Sequence, residues 1–171
     1  GKDQSQHLEM TRDVASRFHA QMGDTFVIPE LKLHEETMYI PGTDGDKMSK
    51  SKGNTIILFQ SDKKLKKQIM SIETDSTPLE EPKDPDTCKV FAIYKLLATP
   101  EELDQMRQNY LGGGYGYGHA KKALYELILK RFEKERALYN HYMANLDEID
   151  EVLKIGAEKT RATANKVLER V

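Results

Sequence analysis

The chain has 171 residues, 38% hydrophobic and 32% charged, with a formal net charge of −2, which fits a helix-rich globular protein with one sizeable core or two small ones. No apolar run approaches the length of a bilayer-spanning segment, and the slightly negative balance excludes binding of nucleic acid by overall field, leaving only local basic surfaces for that task. A single cysteine, Cys88, has no partner for an intrachain disulfide, so the cytoplasm is the expected compartment.

Residues 5–22 place Leu8, Thr11, Ala15, Phe18 and Met22 on one stripe and Glu9, Arg12, Asp13 and Arg17 on other faces, which predicts a helix. Phe26-Val27-Ile28 and Met38-Tyr39-Ile40 are short, turn-bounded and β-prone, and are expected as two strands or extended segments. A glycine-bracketed loop follows over 41–55, and Ile56-Ile57-Leu58-Phe59 after it reads as a further strand. Ser61 is placed to cap a helix over 62–73, with Leu65, Ile69 and Ile72 on its apolar line and Lys63, Lys64, Lys66 and Lys67 on the remainder.

Three prolines and several acids between Asp75 and Asp86 predict a loop. The next helix, near 86–98, buries Val90, Phe91, Tyr94 and Leu97, and Cys88 within it reads as a small buried hydrophobe rather than a nucleophile. Thr99-Pro100-Glu101-Glu102 is a helix start: a hydroxyl cap, a proline in the first turn and a glutamate three residues on. That helix ends near 111, where five glycines in the seven positions 112–118 lack the preceding strand of a phosphate cradle and predict a tight interhelical turn. Two long helices, 119–144 and 146–170, are then expected to pack as an antiparallel pair in a bundle.

The chemistry lies in Pro41-Gly42-Thr43-Asp44-Gly45-Asp46-Lys47-Met48-Ser49-Lys50-Ser51-Lys52-Gly53-Asn54-Thr55. Two lysines three apart, interleaved with two hydroxyls, suit a polyphosphate whose negative charge grows during reaction. Glycines at 42, 45 and 53 let such a loop open and close. A Walker A loop is excluded by spacing, because Ser49 stands before Lys50 where the second glycine belongs. Histidines 7, 19, 34, 119 and 141 have no zinc-ligand spacing, and no structural metal is expected.

Lys47-Met48-Ser49-Lys50-Ser51 is the KMSKS signature of class I aminoacyl-tRNA synthetases. The flanks Pro41-Gly42-Thr43-Asp44-Gly45 and Gly53-Asn54-Thr55-Ile56 resemble the tryptophanyl-tRNA synthetase family in particular. So do Thr74-Asp75-Ser76-Thr77-Pro78, Asp84-Pro85-Asp86-Thr87-Cys88 and the run from Gly113 to Leu124. Gly1-Lys2-Asp3-Gln4 resembles the family's Gly-x-Asp-Gln signature, and no His-x-Gly-His-like element is present.

The resemblance implies a mainly α chain: the C-terminal edge of a Rossmann-type nucleotide-binding fold with its KMSKS loop over 1–60, then an α-helical anticodon-binding domain over 61–171. On this reading the chain is a C-terminal portion of the enzyme, lacking the HIGH-type half and most of the amino-acid pocket, and inactive alone. Lys47 and Lys50 are implied as catalytic, holding the leaving pyrophosphate of ATP with Mg²⁺ sharing the charge. Ser49 and Ser51 are implied to steady phosphates or the loop, and Met48 to lie along the adenine. Gly1, Asp3 and Gln4 are implied to meet the nucleotide and amino acid from the other side, with Gln4 toward the substrate ammonium; helix capping near 3–6 is the structural alternative for Asp3 and Gln4.

The implied partners are tryptophan, ATP, tRNA(Trp) and a second copy in a homodimer. Residues 84–97 are expected near the anticodon, or else as a core-packing helix. The lysines of 47–52 and 63–67, with Lys121, Lys122, Lys130 and Arg131, are RNA-facing candidates or solvated helix faces. A tyrosyl-tRNA synthetase-like fragment and a non-catalytic helical RNA-binding module are the competing readings.

Overall fold

The computed structural model describes residues 4–32 and 40–170. Seven helices form among them: α1 (Ser5–Met22), α2 (Asp62–Met70), α3 (Lys89–Lys95), α4 (Pro100–Leu111), α5 (Tyr117–Arg131), α6 (Glu133–Ala144) and α7 (Leu146–Leu168). Packing divides the chain into two compact units, one of 39–139 and one of 1–38 with 140–171.

The first unit holds the core. Leu65 and Ile69 of α2, Val90, Phe91, Ile93 and Tyr94 of α3, Met106 and Tyr110 of α4, and Ala120, Leu124, Leu127 and Ile128 of α5 are buried together. α5 is the element against which both α2 and α3 pack. Cys88 joins this core as expected of a small hydrophobe, with its Sγ 3.3 Å from the Tyr110 hydroxyl. Burial of that phenol, first of all, pushes its pKa well above the ordinary tyrosine value.

α4 begins as its sequence demands. Thr99 Oγ1 accepts the Glu102 amide, and the Glu102 carboxylate accepts the Thr99 amide, closing a capping box with Pro100 in the first turn. Its far end meets the glycine run, which makes the expected turn: Gly113 and Gly114 both adopt positive φ. At Gly113 a Cβ would also lie 2.6 Å from the Glu80 carbonyl oxygen, so only glycine passes there.

The strand expected at 56–59 is not formed, and no strand occurs among the described residues, so 26–28 is left to the extended-segment alternative; Met38 and Tyr39 of the other such segment lie outside them. Phe26 instead returns to α1, its ring 4.9 Å from that of Phe18 and its amide donating to His19 Nε2 at 2.9 Å. Over 56–59, side chains replace a ladder. The Ile57 amide donates to Gln68 Oε1, Gln68 Nε2 donates to the Thr55 carbonyl, and the Arg136 guanidinium binds the carbonyls of Leu58 and Gln60. Ile56 and Leu58 pack against the helical core. These backbone groups are satisfied by helices, so no neighbouring strand is needed.

Three helices differ from expectation in their limits. Ser61 occupies the N-cap of α2, but its side chain makes no capping bond, and α2 stops at Met70. α3 starts only at Lys89, because Asp86 is held by both guanidinium nitrogens of Arg107, at 2.7 and 3.1 Å, in the turn before it. The single helix expected over 119–144 is broken at Phe132, whose φ of −110° and ψ of 20° end α5 while its ring packs against the core.

In the second unit, α1 buries Ala15, and α7 buries none of its residues. α6, which runs from one unit into the other, buries none either. Leu138 of α6 and Val152 and Leu153 of α7 are exposed. Among the described residues, no helix is long and apolar enough to cross a membrane.

Candidate functional site

The lysine loop is built on short backbone bonds rather than on a sheet. Pro41 and Lys47 form an isolated antiparallel bridge, with the Met48 amide donating to the Ile40 carbonyl at 2.8 Å and the Gly42 amide to Asp46 at 2.7 Å. Gly45, with φ of 87°, turns the chain between them. A second turn at 50–53 is closed by the Gly53 amide on the Lys50 carbonyl, with Gly53 at φ 68°. Positive φ is costly for other residues, which explains glycine at both turns.

The loop's base is anchored to the helical core. The Glu73 amide, just past α2, donates to the Thr43 carbonyl at 3.0 Å. The Lys89 side chain at the start of α3 lies against Gly45, where a Cβ would come within 2.8 Å of it, and its ammonium pairs with Glu73 at 2.6 Å.

Inside the loop sits Asn54, 2% exposed. Its Oδ1 accepts the Ser49 amide at 2.7 Å, and its Nδ2 donates to Asp44 Oδ1 at 2.8 Å and to the Lys47 carbonyl at 3.1 Å. The Asn54 carbonyl also accepts the Thr43 amide at 3.0 Å. Hydrogen bonding, from Asn54 above all, holds the Asp44 carboxyl below the usual aspartate value.

The three lysines differ. Lys52 donates to Asp46 Oδ2 at 2.8 Å, and that bond raises its pKa. Lys47 and Lys50 both have exposed side chains, and among the described residues no ion pair involves Lys50. Ser49 Oγ and Ser51 Oγ lie 2.7 Å apart. Whichever donates, the pair uses one hydroxyl hydrogen and leaves the other to be offered outward. The result is two exposed lysines and a hydroxyl pair on one backbone fixed at both ends, residue types suited to an extended polyanion.

Of the residues expected at the site, the structure brings Lys47, Met48, Ser49, Lys50 and Ser51 into this one loop. Gly1 and Asp3 lie outside the described residues. Gln4 sits at the N-cap of α1, in the other compact unit, and its side chain makes no capping bond. In the sequence Asn54 stands only as part of the flank Gly53-Asn54-Thr55-Ile56, with no role of its own. Among the described residues, no group of three or more histidine, cysteine, aspartate or glutamate side chains is placed to hold a metal ion.

Beyond the loop, the segment 75–86 is held from within. The Lys83 ammonium, on a residue only 3% exposed, donates to the carbonyls of Pro78, Leu79 and Glu81 and lies 5.5 Å from the centre of the Tyr117 ring. The Tyr117 hydroxyl donates to the Asp75 carboxylate, with both oxygens 2.8 Å away. Burial and that carboxylate together push the phenol up to about 12, so it remains a donor at neutral pH.

Comparison with known proteins adds the following. The profile of the family described as tRNA synthetases class I (W and Y) matches residues 1–133. A tryptophan–tRNA ligase of Rhodopirellula baltica is 45% identical over 170 residues, covering 99% of this chain and 53% of that protein. One from Campylobacter jejuni is 43% identical over 171 residues, covering 100% of this chain and 54% of its own length. The crystal structure of the Campylobacter jejuni tryptophanyl-tRNA synthetase complexed with ADP and tryptophan superposes with a TM-score of 0.90 at 44% identity, over 99% of this chain and 53% of that one. The chain thus spans about half the length of the curated relatives it matches.

Proposed function

The chain belongs to the class I tRNA synthetases of the tryptophan and tyrosine type, and on that premise we propose that it carries the ATP-handling loop and the helical RNA-binding part of a tryptophan–tRNA ligase. The observation that carries the reading is the loop itself: Lys47 and Lys50 exposed on a backbone pinned at both ends, beside the Ser49–Ser51 hydroxyl pair. The relatives' names supply the amino acid, since the loop bears on phosphates alone.

In the proposed reaction the carboxylate of tryptophan attacks the α-phosphate of Mg²⁺-bound ATP. A bond forms between carboxylate oxygen and phosphorus, the bond to the bridging oxygen breaks, and tryptophanyl adenylate and pyrophosphate result. Nucleophile and electrophile are both anionic, so the protein's task is alignment and neutralisation of charge. No general base is required, because the carboxylate is already ionised at neutral pH.

Lys47 and Lys50 neutralise the charge gathering on the departing pyrophosphate. The hydroxyl hydrogen left over by Ser49 and Ser51 is donated to a phosphate oxygen, and the Met48 backbone lies along the adenine. Gly1 and Asp3 are assigned to the nucleotide, and Gln4 to accepting from the substrate ammonium. Transfer to the 3′ end of tRNA(Trp) follows. Residues 1–60 are assigned to the end of the catalytic Rossmann-type fold and 61–171 to the anticodon-binding domain, in a cytoplasmic homodimer.

The test is amino-acid-dependent exchange of pyrophosphate into ATP by the full-length protein that carries this chain. Exchange driven by tryptophan supports the proposal. Exchange driven by tyrosine replaces it with the other branch of the family, and ATP-independent tRNA binding without exchange replaces it with an RNA-binding module.

A further inference from the structure

We infer that Asn54 is a positioning residue for the reaction: its side-chain amide fixes the backbone from which Lys47 and Ser49 reach the nucleotide. The inference rests on the proposed role of the loop and adds the device that holds its cation and hydroxyl in register.

Burial of an asparagine amide is unfavourable unless its hydrogen-bonding capacity is used. Here Oδ1 takes the Ser49 amide, and the two Nδ2 hydrogens go to the Asp44 carboxylate and the Lys47 carbonyl. The chemistry of these partners fixes the orientation of the amide. An N–H can face only the oxygen, and a carboxylate and a carbonyl can face only the nitrogen. One planar group therefore ties residue 44, ahead of the lysines, to 47 and 49 within the signature. Asp44 is braced in turn by the Asp46 amide at 3.0 Å. Gly42 lies over the same amide so closely that a Cβ there would be 2.3 Å from Asn54 Nδ2, so the loop leaves room for this side chain in particular.

A lysine stem is long and flexible, and an ammonium stabilises a transition state only when its origin is held to a fraction of an ångström. Neither lysine lies in a helix, and Lys47 is in an isolated bridge with Pro41 rather than a sheet. At Lys47 the carbonyl is held by Asn54, and at Ser49 the amide is. Loss of these bonds acts through the groups that touch substrate, which separates positioning from general support of the fold.

The experiment uses the full-length protein and its tryptophan-dependent adenylate formation. Asn54→Ala is expected to lower kcat about tenfold to a hundredfold, with KM for tryptophan within about twofold and thermal midpoint close to wild type. Asn54→Asp keeps an acceptor for Ser49 but turns oxygen toward Asp44 and the Lys47 carbonyl, and is expected to lose more. In a Lys47→Ala background, Asn54→Ala should cost less than about threefold, because the two act as one unit. Wild-type kcat in Asn54→Ala, or losses that simply multiply with those of Lys47→Ala, would overturn the inference. A wild-type protein without tryptophan-dependent exchange would sink the functional proposal instead. The loop claim then reads from hydrogen exchange at the Ser49 amide: Asn54→Ala should speed it about tenfold or more, and an unchanged rate defeats the claim.

Discussion

Lys52 shares a loop with Lys47 and Lys50 and pairs with an acid of that same loop. Its ammonium is engaged by Asp46 at 2.8 Å, in an exposed pair of small energetic value. Lys52→Ala in the full-length protein should therefore leave adenylate formation within about threefold of wild type; a loss as large as that of Lys50→Ala would mean that all three lysines act on phosphate. Asp75 supports a second prediction. Hydrogen bonds from Thr77, then from Tyr117, lower its pKa from 3.8. A folded pKa below the unfolded one gives stability that is present above the unfolded value and lost as pH falls through the folded one. The thermal midpoint of the chain should therefore fall on acidification below about pH 4. Tyr117→Phe should lie below wild type at neutral pH and converge with it in acid; a constant gap at every pH would show that Asp75 is not the linked group.

At the scale of elements, α4 and α5 give the clearest expectations. Thr99→Ala removes one half of the capping box and should cost about 1 kcal/mol in chemical denaturation. Leu124→Ala opens a cavity in the core between α5 and its neighbours and should cost about 2–5 kcal/mol. A cost near zero for Leu124→Ala would contradict the placing of the core. The helices were legible because both signals are local: an apolar stripe every three or four residues, and caps within one turn. The segment 56–59 reads as a strand because four consecutive apolar residues suit one, whereas its partners are Gln68 and Arg136, with Arg136 76 residues beyond Gln60. No glycine or proline announces the break at Phe132. In the loop the lysines and serines are legible in the sequence as the proposed phosphate ligands, since that chemistry is carried by residue type. Asn54 is not, because its importance lies in three partners brought around it only by folding.

Across the whole molecule, burial is concentrated in the unit of 39–139, and α7 has no buried residue while Leu146, Val152, Leu153, Ile155 and Leu168 stay exposed. Hydrogen exchange on this chain alone should find the amides of α5 slow and those of α7 fast; equal protection would contradict that distribution. The central proposal is that the loop supplies charge to a leaving pyrophosphate. Its most direct test is the single-turnover rate of tryptophanyl adenylate formation by the full-length protein bearing Lys50→Ala. The predicted result is a fall of about a hundredfold or more with tryptophan binding and thermal midpoint unchanged, and a rate equal to wild type would contradict it.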